Sequence, residues 1–197
     1  MRKSGEERQE EIIQAVLDLA AEQGVKQVTT QAIADRVGIA QPTVFRHFKT
    51  RNAILHAALE WIGKGLLTVL TPILAGGGPP DVRLHQLLNR QLQFISQRKG
   101  LPRLLFSERL HLEDPQLKAV VRRIMDAYTG HLQALLSEGI EQGCFREDLD
   151  PEETSWLIVA MIQGLVMRWS LSDFSLPLAE QGDVLWRLLE PALLKRA

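Results

Sequence analysis

A run of hydrogen-bond donors lies between residues 29 and 51. No carboxylate occurs between Asp35 and Glu60. The same stretch carries four cationic side chains, namely Arg36, Arg46, Lys49 and Arg51. Guanidinium, ammonium, amide and hydroxyl groups donate to the phosphate oxygens and base edges of nucleic acid. The net charge of the whole chain, −1, conceals this local basic patch because carboxylates elsewhere offset it.

Two short helices are predicted to carry these donors. The first begins at Thr29 or Thr30, since a threonine hydroxyl caps a helix N-terminus well. Its buried side consists of apolar residues at helical spacing, namely Ile33, Ala34 and Val37. Gly38 follows where the chain needs a left-handed turn residue.

The second short helix is predicted to begin at Gln41 and Pro42, because a proline in the first turn has no amide hydrogen to lose. With Val44 and Phe48 facing the core, the outward set consists of Gln41, Pro42, Thr43, Phe45, Arg46 and His47. Two short helices joined by a turn with glycine form a helix-turn-helix, whose second helix enters the DNA major groove. The alternative is a solvated pair of surface helices in some other helical protein.

The rest of the chain predicts helices only. Asp114-Pro115 and Asp150-Pro151 each have the N-cap and first-turn residues of a helix, whereas residues 76–80 predict a loop. Strict alternation of apolar and polar residues is hard to find, which argues against strands. We therefore expect an all-α protein. We expect residues 1–52 to form a three-helix helix-turn-helix domain, and residues 53–197 to form a regulatory and dimerisation domain of roughly six helices.

Composition excludes several other classes of protein. The single cysteine, Cys144, cannot form an intrachain disulfide and is expected to be a structural thiol. The charged N-terminus does not resemble a secretory signal, and no charge-free stretch is long enough to span a membrane, so we expect a cytoplasmic protein without a membrane partner. Glu108 and His111 form one Glu-X-X-His motif, which supplies two metal ligands in di-iron helical bundles. Such a site needs two of these motifs and two further glutamates on facing helices. We expect no metal, no cofactor and no enzymatic activity.

Residues 29–55 closely resemble the N-terminal DNA-binding domain of TetR-family bacterial transcriptional regulators. The resemblance rests on Gly38, on the aromatic-X-His-Phe end of the second helix and on the basic cap after it. It implies DNA contacts by Thr30, Gln31, Gln41, Pro42, Thr43, Phe45, His47 and Arg51. Charge adds Arg46 and Lys49 to this set. Most relatives have tyrosine at the position of Phe45, so this chain lacks a hydroxyl there. Most also have lysine at the position of Arg51, so a planar guanidinium with several donors replaces a compact ammonium group.

The last two predicted helices carry apolar residues on more than one face, which predicts a contact with a second copy of the chain. A two-fold dimer doubles the base contacts on a palindrome. Ala160 and Gly164 lie four residues apart and would let two helices approach closely. The predicted contact residues are Trp156, Ala160, Gly164, Trp186, Leu189 and Leu193. Burial within one subunit is the alternative.

Polar residues at helical positions that should be apolar predict an effector site. On a predicted helix from Leu101, the row Leu101, Leu104, Leu105, Glu108 and Leu112 includes a carboxylate. On a predicted helix from Thr154, the row Leu157, Met161, Gly164, Leu165 and Arg168 includes a guanidinium. A buried charge needs a partner, so the two side chains either pair with each other or bind a ligand. Tyr128, Gln91 and Gln163 are predicted to lie near them. The resemblance implies a cavity in the C-terminal domain, and we expect it to hold an apolar or amphipathic small molecule.

The sequence supports two functions. The first is a ligand-responsive repressor that binds a palindromic double-stranded operator as a homodimer. The second is an effector-free DNA-binding architectural or interaction protein of the same fold. Loss of operator binding on addition of a small molecule would separate them.

Overall fold

Residues 4–195 are described by a computed structural model, and within them the chain forms nine α-helices and no β-strand. The helices are α1 (Gly5–Gln23), α2 (Thr30–Val37), α3 (Gln41–His47), α4 (Arg51–Leu74), α5 (Pro80–Ser96), α6 (Gly100–Leu105), α7 (Pro115–Glu141), α8 (Pro151–Leu171) and α9 (Gln181–Leu193). Short 3-10 turns occupy Val25–Gln27 and Leu178–Glu180, and a π-helical turn occupies Arg109–Glu113. The predicted all-α class, with three helices followed by six, is confirmed.

The helices form two compact units. One contains the described part of Met1–Lys64 together with Arg98–Arg123, and the other contains Gly65–Gln97 with the described part of Ile124–Ala197. The unit boundaries fall inside α4, between α5 and α6, and inside α7. The predicted division after residue 52 lies inside the first of these helices and does not coincide with a unit boundary.

Packing in the first unit places α1 against α2, α3 and α6. Ser4 and Glu7 form a capping box at the start of α1, in which the Ser4 hydroxyl accepts from the Glu7 amide at 3.1 Å. The backbone of α6 approaches α1 so closely at Gly100 that an added Cβ would lie 2.2 Å from the Leu17 carbonyl oxygen. Only glycine fits at this crossing.

The predicted helix from Leu101 through Leu112 is wrong, because α6 ends at Leu105. The Ser107 hydroxyl donates to the Leu104 carbonyl at 2.7 Å and accepts from the Leu110 amide at 3.3 Å. A serine that bonds backbone groups in this way competes with continuation of a helix. The chain then makes the π-helical turn, and the row that was predicted to be buried is interrupted.

The second unit is organised around α5, which packs against α9 and the 3-10 turn before it. Arg83 of α5 is buried, and its guanidinium donates to the carbonyls of Ile73 and Leu74 at the C-terminus of α4. It also forms an ion pair with Glu138 at 2.6 Å. This arginine therefore satisfies helix-end carbonyls that would otherwise lack a donor.

Both predicted Asp-Pro helix starts are confirmed. The Asp114 carboxylate accepts from the Leu117 amide at 2.9 Å, and the Asp150 carboxylate accepts from the Glu152 amide at 2.8 Å. Pro115 and Pro151 are the first residues of α7 and α8. An aspartate oxygen thus binds an orphan amide at each helix start.

Two helices, α4 and α8, are long and apolar enough to cross a membrane by length and composition alone. In each, 39% of the most apolar window is buried inside the protein. The expectation that no stretch is this apolar was too strict, because it counted charge-free runs only. Helices of a protein core pass the same test, and α8 also exposes the polar residues Gln163 and Arg168.

Candidate DNA interface

The helix-turn-helix is formed by α2, the turn at Gly38 and α3. Thr29 is the N-cap of α2, and its hydroxyl accepts from the Ala32 amide at 3.1 Å. Gly38 adopts a left-handed φ of 72°, which lets the Ile39 amide reach the Ala34 carbonyl at 3.0 Å. The turn chemistry predicted from the sequence is confirmed.

Apolar contacts hold the two helices together. Four side chains are buried on the inner side, namely Ile33, Ala34, Val44 and Phe48. Val37 is only half-buried, and Phe48 is the C-cap of α3 and not a helical residue. Burial of these four residues fixes which side of α3 remains available to a partner.

The residues that were predicted to face outward on α3 all have side chains that are at least partly exposed. Pro42, Phe45 and Arg46 are exposed, as is Lys49 beyond the helix. Gln41, Thr43 and His47 are half-buried. The α3 sequence carries no carboxylate, so this surface does not repel the phosphates that line a DNA groove.

Side-chain hydrogen bonds organise the predicted DNA contacts. The Gln41 amide nitrogen donates to the Thr30 hydroxyl at 2.8 Å, which links the first residue of α3 to the first residue of α2. Arg46 donates to the Thr43 hydroxyl at 3.2 Å. Gln31 donates to Asp35 at 2.7 Å along α2. Sequence spacing gave no signal for the first of these bonds, because it joins separate helices.

Two of the four predicted cations bind groups that lie outside α3. Arg36 forms a bidentate pair with Glu22, and its hydrogen bonds lower the pKa of that carboxyl. The Arg51 guanidinium donates to the carbonyls of Val25, the first residue of the 3-10 turn, and of Val28, the residue that follows the turn. This structural role of Arg51 was missed by the sequence analysis, and its contact with DNA stays a prediction. Arg46 and Lys49 are the cations that remain on the outward surface.

The predicted effector residues Tyr128 and Gln91 meet in the second unit. Both are buried, and the Tyr128 hydroxyl donates to the Gln91 amide oxygen. Burial raises the pKa of the Tyr128 phenol above its ordinary value of 10.0, because the charged phenolate would lose its hydration. Gln163 is exposed on α8, and its amide lies 4.0 Å from the Met125 sulfur.

The predicted inward placement of Glu108 and Arg168 is wrong, because both residues are exposed. Glu108 follows the end of α6 and lies 3.8 Å from Lys26 across a surface cleft of about 460 Å³ that Arg103 also lines. Arg168 belongs to the exposed side of α8. The buried residues of that helix are Ser155, Ile158, Val159, Ile162, Val166, Trp169 and Ser170. Because α8 is apolar on both sides, hydrophobicity did not show which side faces inward.

The predicted dimer residues divide between surface and core. Trp156, Ala160 and Gly164 lie on the exposed side of α8. Trp186, Leu189 and Leu193, which were also predicted to contact a second copy, are buried within the protomer, as the alternative interpretation expects. Trp186 stacks on His85 of α5 with ring centroids 5.3 Å apart.

An apolar face remains open on each of the last two helices. On α8 it consists of Trp156, Leu157, Ala160, Met161, Gly164, Met167 and Leu171, and on α9 of Val184 and Leu188. We call these residues the open face. Met167, Leu171 and Val184 were not predicted from the sequence to lie in this contact. Their signal was the second apolar row in each helix.

No group of three histidine, cysteine, aspartate or glutamate side chains in the described residues could hold a metal ion. His111 is the histidine of the Glu-X-X-His motif, and its ring nitrogen lies 3.1 Å from the Leu105 carbonyl oxygen. Glu108 is turned to solvent. The described structure therefore does not place this pair in a group of three possible metal ligands.

Comparison with known proteins places both parts of the chain in one family. Residues 12–58 match the model of bacterial regulatory proteins of the tetR family, and residues 77–173 match the tetracyclin repressor-like C-terminal domain. The nucleoid occlusion factor SlmA of Haemophilus influenzae is 25% identical over 195 residues, covering 96% of this chain and 88% of that protein.

Solved structures with the same fold include two that hold small molecules. The transcriptional regulator FadR of Bacillus subtilis, in complex with stearoyl-CoA, has a TM-score of 0.79 at 23% identity, covering 91% of this chain and 96% of FadR. A transcriptional regulator of Saccharomonospora viridis, in complex with choline, has a TM-score of 0.84 at 21% identity, covering 97% of this chain and 100% of that one. With its helix-turn-helix and its two matching family models, the chain belongs to the TetR family of DNA-binding bacterial regulators.

Proposed function

We propose that the protein is a cytoplasmic transcriptional repressor that binds a palindromic operator as a homodimer and leaves it when an amphipathic small molecule binds. The observation that carries the proposal is the outward surface of α3, which presents Gln41, Thr43, Arg46 and His47 without a carboxylate. Its family consists of DNA-binding regulators and not of enzymes. We therefore assign the chain a binding function.

The open face supports the homodimer. One helix-turn-helix contacts too few base pairs for useful specificity, and a two-fold axis doubles the number on a palindrome. A Cβ added at Gly164 would meet nothing within 4 Å, so a second helix can approach the backbone of α8 there. Large exposed apolar residues such as Trp156 and Leu171 lose unfavourable contact with water when a second copy covers them.

The effector is supported by the two relatives whose structures hold stearoyl-CoA and choline. A small molecule lowers operator affinity only by the difference between its affinities for the two conformations of the protein. Tyr128 and Gln91 offer polar anchors in a mostly apolar interior. Glu108, Lys26 and Arg103 offer a mixed-charge cleft in the first unit.

A second candidate is an effector-free DNA-binding factor of the same fold. The relative that favours it is SlmA, whose name gives nucleoid occlusion as its role and which matches 96% of this chain. The hydrogen bond between Tyr128 and Gln91 also favours it, because the two buried polar groups satisfy each other without a ligand.

One experiment separates the two candidates. A duplex selected from a randomised DNA pool by the full-length protein serves as the operator, and fluorescence anisotropy measures its binding with and without stearoyl-CoA or choline. A palindromic selected sequence supports the homodimeric repressor, and failure to select any sequence contradicts the DNA-binding function. Release by either probe, or by a small molecule extracted from the purified protein, supports the effector. Unchanged binding with all of them favours the effector-free factor.

A further inference from the structure

The hydrogen bond between Gln41 and Thr30 joins two residues that are both predicted to touch DNA. Thr30 is the first residue of α2, Gln41 is the first residue of α3, and the amide nitrogen lies 2.8 Å from the hydroxyl oxygen. Both side chains are half-buried, so water competes with this bond less than at an open surface. Thr30 is not the cap of its helix, because Thr29 takes that role.

The hydroxyl of Thr30 can still donate. It accepts the Gln41 amide, and none of residues 4–195 accepts its own hydrogen. A phosphate oxygen can only accept a hydrogen bond, and the Thr30 hydroxyl has a single hydrogen to donate. Once that hydrogen is donated to phosphate, the hydroxyl can interact with Gln41 only by accepting from its amide N–H. If the amide turned by half a rotation, its oxygen would face the hydroxyl oxygen with no hydrogen between them. A phosphate contact at Thr30 therefore fixes which end of the Gln41 amide faces the base.

We infer that Thr30 is a positioning residue, which orients the Gln41 amide so that its oxygen and its second N–H face an adenine in the major groove. The inference rests on the proposed operator binding. Adenine presents the N6 amine as a donor and N7 as an acceptor, which match the oxygen and the N–H of the amide. Guanine presents two acceptors, O6 and N7, so its O6 would face the amide oxygen. The pair therefore selects adenine against guanine at one base pair of each half-site.

The test is a selection of operator sequences from a randomised duplex pool by the full-length wild-type protein and four variants. Gln41→Ala identifies the base pair that Gln41 contacts, since the preference at that position is lost. Thr30→Val removes the hydroxyl at nearly constant shape, and Thr30→Ser keeps it. Thr71→Val makes the same hydroxyl-to-methyl change at an exposed residue of α4, in the second unit, and serves as the matched control.

The expected result is a change in base preference and not only in affinity. Wild-type protein, Thr30→Ser and Thr71→Val should prefer adenine over guanine at the Gln41 position by about 5-fold to 150-fold, as one good bidentate contact does. Thr30→Val should reduce that preference to about 3-fold or less, because the amide then turns to suit either purine. Preferences at the other positions should be unchanged.

Three results would overturn the inference. The first is a uniform loss of affinity in Thr30→Val with the adenine preference kept, which makes Thr30 a phosphate anchor only. The second is a preferred guanine at the Gln41 position. The third is Gln41→Ala without any change in preference, so that Gln41 does not contact a base. In each case the wild-type protein still selects a palindrome, so operator binding stands, whereas failure to select any sequence would count against the proposed function itself.

Discussion

Leu188 of α9 offers the most direct test of the proposed homodimer. Its side chain is 65% exposed in the protomer and belongs to the open face. Full burial of a leucine side chain contributes roughly 1.5 to 3 kcal/mol, so covering the exposed two-thirds contributes about 1 to 2 kcal/mol. In a two-fold dimer each substitution occurs twice, which makes the total about 2 to 4 kcal/mol. Leu188→Ala should therefore weaken dimerisation by about 30-fold to 700-fold.

Sedimentation equilibrium over a range of protein concentrations measures the dimer dissociation constant directly. The matched control is Leu112→Ala, because Leu112 is 81% exposed on the π-helical turn and lies outside the open face. Both substitutions remove the same apolar atoms from water, and only the first should change the dissociation constant. The thermal stability of each variant at a concentration where it is monomeric verifies that the protomer still folds.

Two outcomes would refute the argument. A wild-type protein that is monomeric at micromolar concentration has no dimer for the open face to form. A dimer whose dissociation constant is the same in wild type, Leu188→Ala and Leu112→Ala uses some other surface. In the second case the apolar residues of α8 and α9 would need a different partner.

Three further predictions concern DNA binding, stability and pH. Lys49→Ala should weaken binding to operator and unrelated DNA alike and make the salt dependence of binding shallower by about one counterion. Gln41→Ala should weaken the binding free energy by roughly 1 to 3 kcal/mol, and only on the preferred sequence. Fluorescence anisotropy at several salt concentrations measures both effects. Arg51→Ala should lower the free energy of unfolding in urea by roughly 1.5 to 3 kcal/mol, because backbone carbonyls lose a charged donor. Since burial raises the pKa of Tyr128, the native protein should show no phenolate absorbance just above pH 10.0, and its free energy of unfolding should fall as the pH rises past that value. The chain has a single tyrosine, so the absorbance reports this residue alone.

Each of these predictions has a contrary result. If Lys49→Ala and Gln41→Ala gave the same sequence profile, the division between phosphate contacts and base contacts would be wrong. Lys49 is also the stability control for Arg51, and an unfolding free energy that is equal in the two alanine variants would deny Arg51 its structural role. A phenolate that forms in the native protein near pH 10.0 would contradict the burial of Tyr128.

Local signals were the part of the fold that the sequence predicted well. The left-handed turn at Gly38 and the helix starts at Asp114-Pro115 and Asp150-Pro151 all occur as expected. Each of these features depends on a side chain and backbone groups within about four residues. Their energetics are therefore contained in a short segment of sequence.

Which of two apolar faces of a helix is buried could not be predicted from local sequence. The periodicity of α8 allows either side to be buried, and the side that packs inward is the one with Ile158, Val159 and Ile162. Helix α6 ends early because Ser107 bonds to the backbone, which a count of apolar positions does not register. The contacts of Arg51 and of Thr30 with Gln41 join separate elements, so they depend on how those elements pack.

The placement of the polar residues narrows the class of effector that the proposed repressor could bind. Glu108 and Arg168 are solvated, so neither requires a ligand to neutralise it. Tyr128 and Gln91 are buried and satisfy each other. A molecule that separates this pair must itself accept from the phenol and donate to the amide oxygen, because each buried group left unpaired costs about 1 to 3 kcal/mol. A hydrocarbon cannot do so, whereas an amphipathic molecule with a hydroxyl or amide replaces both hydrogen bonds while its apolar part remains in the core. Binding at the Tyr128–Gln91 pair therefore favours an amphipathic effector over a purely apolar one.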